Sequence, residues 1–329
     1  MDTELHRAMK NRISARAVIL IALAGVCILA ASGSIITAQH ASQKVTLALL
    51  GDISLARGVQ PNMDAFSTLA AQLSSADLAL ANLESPLDPQ WTSKEQYSST
   101  LSYNLCAPAE RAELLKAWGL DLLSLANNHA FDCRPDGLTQ TVAALESQNL
   151  IGIGSSRING AMSSPYYQKV NGLSLAFLAF DDVTQPIDIE AAAAEVQSAK
   201  NKGALVIVSV HWGAEYQSGP SPRQKEIAQA LAQAGAVLIW GHHPHILQPS
   251  EWLQTENGST LVFYSLGNAL FDSYGLADTS RSALILVKLD AQGIVDVEAV
   301  PFVIDAMNSC VVSADLSTEQ KILQRLNLP

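Results

Sequence analysis

A mainly parallel α/β fold is what this sequence predicts, and three observations carry that prediction. Continuous apolar runs alternate with amphipathic stretches, the amphipathic stretches end on helix-boundary residues, and nearly every apolar run leads into a polar cluster. The runs cover 45–50, 78–81, 120–125, 173–180, 205–210, 237–240 and 261–264. Short runs without polar alternation suit strands buried on both faces, as in a parallel sheet covered by helices. Amphipathic stretches at 109–118, 137–148, 189–202 and 223–234 supply the covering helices. Pro108 stands where a first-turn proline is tolerated, and Gly119 and Gly235 stand where helices commonly stop. The rhythm then changes. Residues 283–289, the turn formers Ala291, Gln292 and Gly293, and 294–303 predict a closing hairpin.

Composition sets the broad class. Of 329 residues, 48% are hydrophobic and 16% charged, enough apolar material for a sizeable core and too much for a disordered chain. A net charge of −11 without any stripe of Lys and Arg argues against nucleic acid as a partner. The N-terminus differs from the rest. Arg7, Lys10, Arg12 and Arg16 precede an uncharged, largely apolar segment at 17–38, close to the roughly 20 residues that span a bilayer as a helix. The basic flank predicts a cytoplasmic tail at 1–16, a single-pass membrane anchor at 17–38, a linker at 39–44 and an extracytoplasmic domain at 45–329. A cleaved signal peptide is the alternative, with 17–31 as its apolar region and small residues at 30–38 as cleavage sites; the domain is then secreted. Either way it leaves the cytoplasm, where disulfides persist. Cys106 and Cys133 flank one helix–strand unit and can pair, leaving Cys310 free; equally, all three can be small buried hydrophobes.

The chemistry sits where the strands end. The first run leads into Gly51, Asp52, Ile53 and Ser54; the second into Asn82, Leu83 and Glu84. The third is followed by Asn127, Asn128, His129 and Asp132. Later runs deliver His211, Trp212, Gly213 and Glu215, then Gly241, His242, His243, Pro244 and His245, then Ser265 to Asn268. Ligand sites in open α/β sheets form beyond the carboxyl ends of strands, so parallel strands bring these clusters to one edge. Taken singly, Asp52 suits a turn or cap and His211 a buried structural histidine. Together they are harder to explain away, because five of the seven histidines lie at these strand ends. Carboxylates, a carboxamide and imidazoles without thiolates suit one or two ions of Mn, Fe or Zn. A serine hydrolase fits poorly, since Ser265 lacks the flanking glycines of a nucleophile elbow.

Six motifs in order carry a resemblance: Gly-Asp-Ile-Ser-Leu-Ala-Arg (51–57), Asn-Leu-Glu-Ser-Pro-Leu (82–87), Leu-Ala-Asn-Asn-His-Ala-Phe-Asp (125–132), Val-His-Trp-Gly-Ala-Glu-Tyr (210–216), Gly-His-His-Pro-His (241–245) and Tyr-Ser-Leu-Gly-Asn (264–268). From about residue 45 to 305 the chain resembles the CapA family of capsule and poly-γ-glutamate synthesis proteins, a group related to calcineurin-like metallophosphoesterases. The resemblance implies a four-layer α/β/β/α sandwich with the site between two sheets. It also implies that Asp52, Glu84, Asn128, His211, His242 and His245 ligate metal, with His243 less clear, and that His129 is the acid that protonates a leaving group. Arg57, Trp212, Glu215 and Tyr216 are candidate substrate contacts. Ser54 stands where metallophosphoesterases carry a ligand histidine; the CapA group lacks it, which leaves one metal position thinner, to be filled by a group such as Glu84 or Glu215. The expected function is metal-dependent hydrolysis of a phosphoester or of an anionic polymer such as poly-γ-glutamate. The alternative is a non-catalytic polymer-binding or assembly factor working with membrane synthase components.

Overall fold

Strand β1 (Val45–Ile53) organises the first of two sheets. Beside it, in parallel, lie β2 (Leu78–Leu83), then, past a small pair formed by β3 (Leu87–Asp88) and β4 (Ala107–Pro108), β5 (Leu122–Ser124) and β6 (Ile151–Ile153). The chain then builds a second sheet from β7 (Tyr166–Val170), β8 (Leu173–Asp181), β9 (Leu205–His211), β10 (Ala236–His242), β11 (Ser250–Thr255) and β12 (Gly258–Phe263). Its order is β11-β12-β10-β9-β8-β7, with β8, β9, β10 and β12 parallel and the two edge strands antiparallel. Short β13 (Asn268–Leu270) returns to pair with the end of β1, and β14 (Arg281–Asp290), β15 (Gly293–Asp305) and β16 (Cys310–Ser313) complete the first sheet as antiparallel neighbours. The predicted closing hairpin is β14–β15. This computed structural model describes residues 43–92, 103–154, 164–272 and 276–328. The basic tail and the anchor or signal segment lie outside them, and no described helix is long and apolar enough to cross a membrane.

The side-chain alternation of strands sorts the apolar residues into three cores. Leu47, Leu49 and Leu80 of the first sheet meet Phe177, Ile207, Leu238 and Phe263 of the second. The opposite face of the first sheet, through Ala48, Leu50 and Leu123, packs against Leu73, Leu115 and Leu145. Those three come from helices α1 (Ala70–Ser75), α2 (Ala112–Ala117) and α3 (Gly137–Ser147). On the outer face of the second sheet, Val206, Val208 and Ile239 meet Val196 of α4 (Ile189–Asn201) and Ile227 and Leu231 of α5 (Pro222–Ala234). Each such Leu, Ile or Phe contributes about 1.5–3 kcal/mol by leaving water. A final helix, α6 (Leu316–Leu326), buries Ile322 and Leu326 in the inter-sheet core.

The alternating runs therefore build two sheets face to face, where their pattern alone suggested one. Strands β7 and β11 were not foreseen because they are edges: Tyr166–Val170 alternates half-buried and exposed positions and carries Gln168 and Lys169. The amphipathic stretch at 109–118 forms a shorter α-helix than expected, since Ala109–Arg111 is a 3-10 turn. Helix α5 has well-defined ends. The Ser221 side chain accepts from Gln224 N while Gln224 caps Ser221 in return, Pro222 opens the first turn, and Gly235 closes it at φ +103°.

Candidate metal centre

The carboxyl ends of β1 and β2 supply the acidic half of the site. Asp52 is held by its backbone N–H donating to Gly267 O at 2.9 Å. That approach is possible only because residue 51 is glycine, as a Cβ there would lie 1.9 Å from Gly267 O. On β2 and just beyond it, Asn82 and Glu84 are two apart and share a face. Asp52, Asn82 and Glu84 are all fully buried. The Asn82 Nδ2 donates to Asp52 Oδ1 at 2.8 Å and lies 3.4 Å from Glu84 Oε1. Asn127, after β5, fixes that amide by donating to Asn82 Oδ1 at 3.2 Å and to Leu83 O at 2.8 Å.

The second sheet supplies the imidazoles. His211 and His242 end β9 and β10 as register partners. The Asn128 Oδ1 faces His211 Nε2 at 2.8 Å, so sheet one and sheet two meet here. His242 Nδ1 lies 3.2 Å from Asp52 Oδ1 without an aligned hydrogen bond, and its Nε2 has no partner. His245 Nδ1 is 2.8 Å from Asn268 Oδ1 and 3.5 Å from Asp52 Oδ2, and its Nε2 is 3.9 Å from Glu84 Oε2. His243 donates its backbone N–H to Asp52 Oδ2 at 3.2 Å. Among the described residues, eight non-glycine residues have positive φ, and four of them (Arg57, Tyr216, His243 and His245) surround this cluster. Such strain persists where surrounding structure over-determines it, commonly at functional sites.

Electrostatics separates the two carboxylates. Burial alone would raise Asp52, but the nearby His242 and His245 rings and the hydrogen bond from Asn82 hold it below the usual carboxylate range. Burial and the neighbouring Asp52 charge push Glu84 well above that range. Burial and the other imidazoles drive His211 well below its ordinary value, and burial brings His243 down to about 4. Neutral imidazoles and a carboxylate pair sharing one negative charge form a donor set that a divalent cation suits. The unsatisfied atoms agree with this. Glu84 Oε2, both ring nitrogens of His242 and His243 Nδ1 are buried without hydrogen-bond partners. Leaving buried polar atoms unpaired costs about 1–3 kcal/mol each, unless a ligand takes them up. Asp52, Glu84 and His245 present ligand atoms within 4.8 Å of one another, and so do Glu215, His243 and His245. His245 thus belongs to two donor groups. Glu215 adds a carboxylate to the second group, and the Ser54 hydroxyl is turned to Ser85 Oγ at 3.3 Å.

His129 Nδ1 stands 2.7 Å from Asp132 Oδ2, part-buried at the rim. Asp132 also accepts from Leu105 N at 2.7 Å, and the Cys106–Cys133 disulfide ties the two segments together. Cys310 is free. Arg57 is ion-paired with Asp272 and lies over Phe271, 5.4 Å from its centroid, while Phe271 packs 4.7 Å from the His245 ring. The Tyr216 ring is 6.2 Å from that of His245, and burial with the Glu215 charge raises its phenol. Trp212 is a correction. It is fully buried in the outer core of the second sheet with Nε1 donating to Tyr264 O at 2.8 Å, so it packs the fold and offers no face to a substrate. Asn82, Asn127, Asn268 and Asp132 were given no role from sequence, although the spacing of Asn82 and Glu84 on one strand was a signal for the first.

Residues 46–273 match the family model described as bacterial capsule synthesis protein PGA_cap. The chain is 32% identical to the PGA biosynthesis protein CapA of Bacillus subtilis (strain 168) over 308 residues, covering 87% of this chain and 79% of that one. It is 31% identical to the capsule biosynthesis protein CapA of Bacillus anthracis over 283 residues, 79% of this chain and 67% of the other. Among solved structures, a hypothetical protein from Thermus thermophilus aligns over 78% of this chain and 98% of its own, with a TM-score of 0.50 and 18% identity, a likeness of fold alone.

Proposed function

The chain belongs to the bacterial capsule synthesis family PGA_cap, and we propose that within capsule synthesis it works as a metal-dependent hydrolase of the metallophosphoesterase type. In this reading it is exported, tethered through residues 17–38, and acts on an anionic polymer such as poly-γ-glutamate. The single observation that carries the chemistry is the set of buried, unpartnered ligand atoms on Glu84, His242 and His243 beside Asp52 and His245. The Cys106–Cys133 disulfide supports an oxidising compartment.

Asp52, Glu84, Asn128, His211, His242 and His245 would hold one or two ions of Mn, Fe or Zn, with His243 and Glu215 completing the second donor group. A divalent ion bound there supplies Lewis acidity and a water acidified towards neutrality. Asn82 bridges the two carboxylates by donating to both. Asp132 accepts from His129 Nδ1, which leaves Nε2 as the atom that gives a proton to the leaving group. Arg57 and Tyr216, on the wall around His245, are placed to orient a negatively charged chain.

The test uses the purified full chain. Bound metal, cleavage of γ-glutamyl chains and cleavage of generic phosphoesters are measured for wild type and His211→Ala. Loss of both metal and turnover in the variant is the expected result. Because Ser54 replaces a ligand histidine, a second reading has its own support: metal-dependent polymer binding with no turnover makes the protein an assembly factor. Absence of bound metal under every condition overturns both.

A further inference from the structure

Away from the metal cluster, a cavity of about 510 Å³ is lined by Arg281, Lys321 and Arg325 together with Asp278. In a chain of net charge −11, a cavity with three cations and one carboxylate is out of character. Asp278 engages both guanidiniums, at 2.7 Å from Arg281 Nη1 and 3.4 Å from Arg325 Nη2. Arg325 is further steadied by Leu247 O at 3.4 Å. Lys321 is exposed and has no ion pair among the described residues. The floor is apolar, through Leu247 and Ile322. Two held guanidiniums and a free ammonium on an apolar floor suit a chain that carries carboxylates along a partly aliphatic backbone, as a γ-linked glutamyl polymer does.

Shared lining residues relate this cavity to the neighbourhood of the metal site. A second cavity of about 290 Å³ shares Asp278 with it and is lined by Tyr216, Ile246 and Leu276. Tyr216 is also the wall of the metal cluster, with its ring 6.2 Å from that of His245 and its N–H donating to Pro244 O at 2.8 Å. We infer that the two cavities form a track that holds an extended carboxylate polymer beyond the metal site, with Lys321, Arg325 and Arg281 binding carboxylates of units distant from the one at the metal. The inference rests on the proposed polymer function and names how that polymer is recognised: by several successive units. Asp278 does not repel the chain, since both arginines neutralise it.

The experiment compares binding of a γ-glutamyl dipeptide, a defined long γ-glutamyl oligomer and polyphosphate to the metal-loaded full chain. Wild type, Lys321→Glu and Lys321→Arg are measured at low and high salt. Lys321 is exposed, so these changes leave the fold intact, and metal content checks the distant site. The expected result is that Lys321→Glu weakens the long oligomer about three- to tenfold at low salt, spares the dipeptide and the metal, and that Lys321→Arg restores affinity. Wild-type affinity for the oligomer in Lys321→Glu overturns the track while leaving the polymer function standing. Polyphosphate binding as tightly as the oligomer with the same dependence on Lys321 overturns the carboxylate assignment. If wild type binds neither γ-glutamyl probe, the polymer function itself fails and the track with it.

Discussion

The rim histidine and the buried glutamate both manage protons, in opposite ways. His129 is part-buried with one ring nitrogen 2.7 Å from Asp132, so its tautomer is set by a single carboxylate. Replacing that carboxylate in Asp132→Asn removes the charge but keeps the shape. We expect kcat to fall at least about tenfold with KM and metal content unchanged, since positioned acids contribute about 10²–10⁴-fold. Unaltered kcat alongside lowered stability would reduce Asp132 to a structural role. Glu84 is the converse case. Burial and Asp52 raise its pKa, so it keeps its proton at pH values where an ordinary glutamate has lost it. A cation must displace that proton, while His211 and His243, lowered by burial, have none to give near neutrality. Metal affinity should therefore climb with pH up to the raised Glu84 value and then level off, with proton release on binding below that value. Titration calorimetry in buffers of different ionisation enthalpy reads that release directly; affinity and proton release that do not change with pH contradict the assignment. The residues that gather here were legible in the sequence because histidine and carboxylate clusters followed apolar runs. Asn82, Asn127 and Asn268 were not, since an asparagine after a strand is ordinary turn material until its amide is seen to bridge two ligands.

At the scale of elements, the site depends on backbone approaches that leave no room for a side chain. A methyl on Gly51 would meet Gly267 O at 1.9 Å and one on Gly241 would meet Tyr264 O at 2.3 Å. These glycines let β1 and β10 carry Asp52 and His242 close against the chain around 264–268. Gly51→Ala should lose metal binding and several degrees of thermal midpoint together, read by metal analysis and calorimetry on the same sample. Retained metal in a stably folded variant would show that the strand ends can part without harm. The helix ends act differently, because they stabilise without touching the site. Ser221→Ala removes a capping-box acceptor from α5 and should cost about 1 kcal/mol in denaturant unfolding with metal affinity unchanged. Helix α5 was legible from Gly235 and its apolar face. The edge strands β7 and β11 were not, because half-exposed alternation with charged and amide side chains carries little of the buried-strand pattern.

Across the whole molecule, the centre exists only because two sheets are held at one separation. Asp52, Glu84 and Asn128 come from the first sheet; His211, His242, His243 and His245 come from the second. The sequence pattern implied parallel strands with sites at their carboxyl ends, but hydrophobic alternation cannot say which strands share a sheet. Both faces of each sheet are apolar, so one continuous sheet and two stacked ones present the same periodicity. The stacking makes a prediction that a single sheet would not. Leu238 lies between the sheets and Ile227 lies on α5 against the outer face of the second, and both are fully buried. Truncating either to alanine should cost about 2–5 kcal/mol of stability through lost burial and a residual cavity. Only Leu238→Ala removes filling from between the layers that carry the two halves of the ligand set. Its metal affinity should therefore fall about tenfold, a difference of about 1.4 kcal/mol, while Ile227→Ala binds metal as wild type does. Competition with a chelator, measured well below the unfolding transition of each variant, separates the two effects. Equal losses of affinity in both variants would mean that general stability governs the site and that the spacing between the sheets does not.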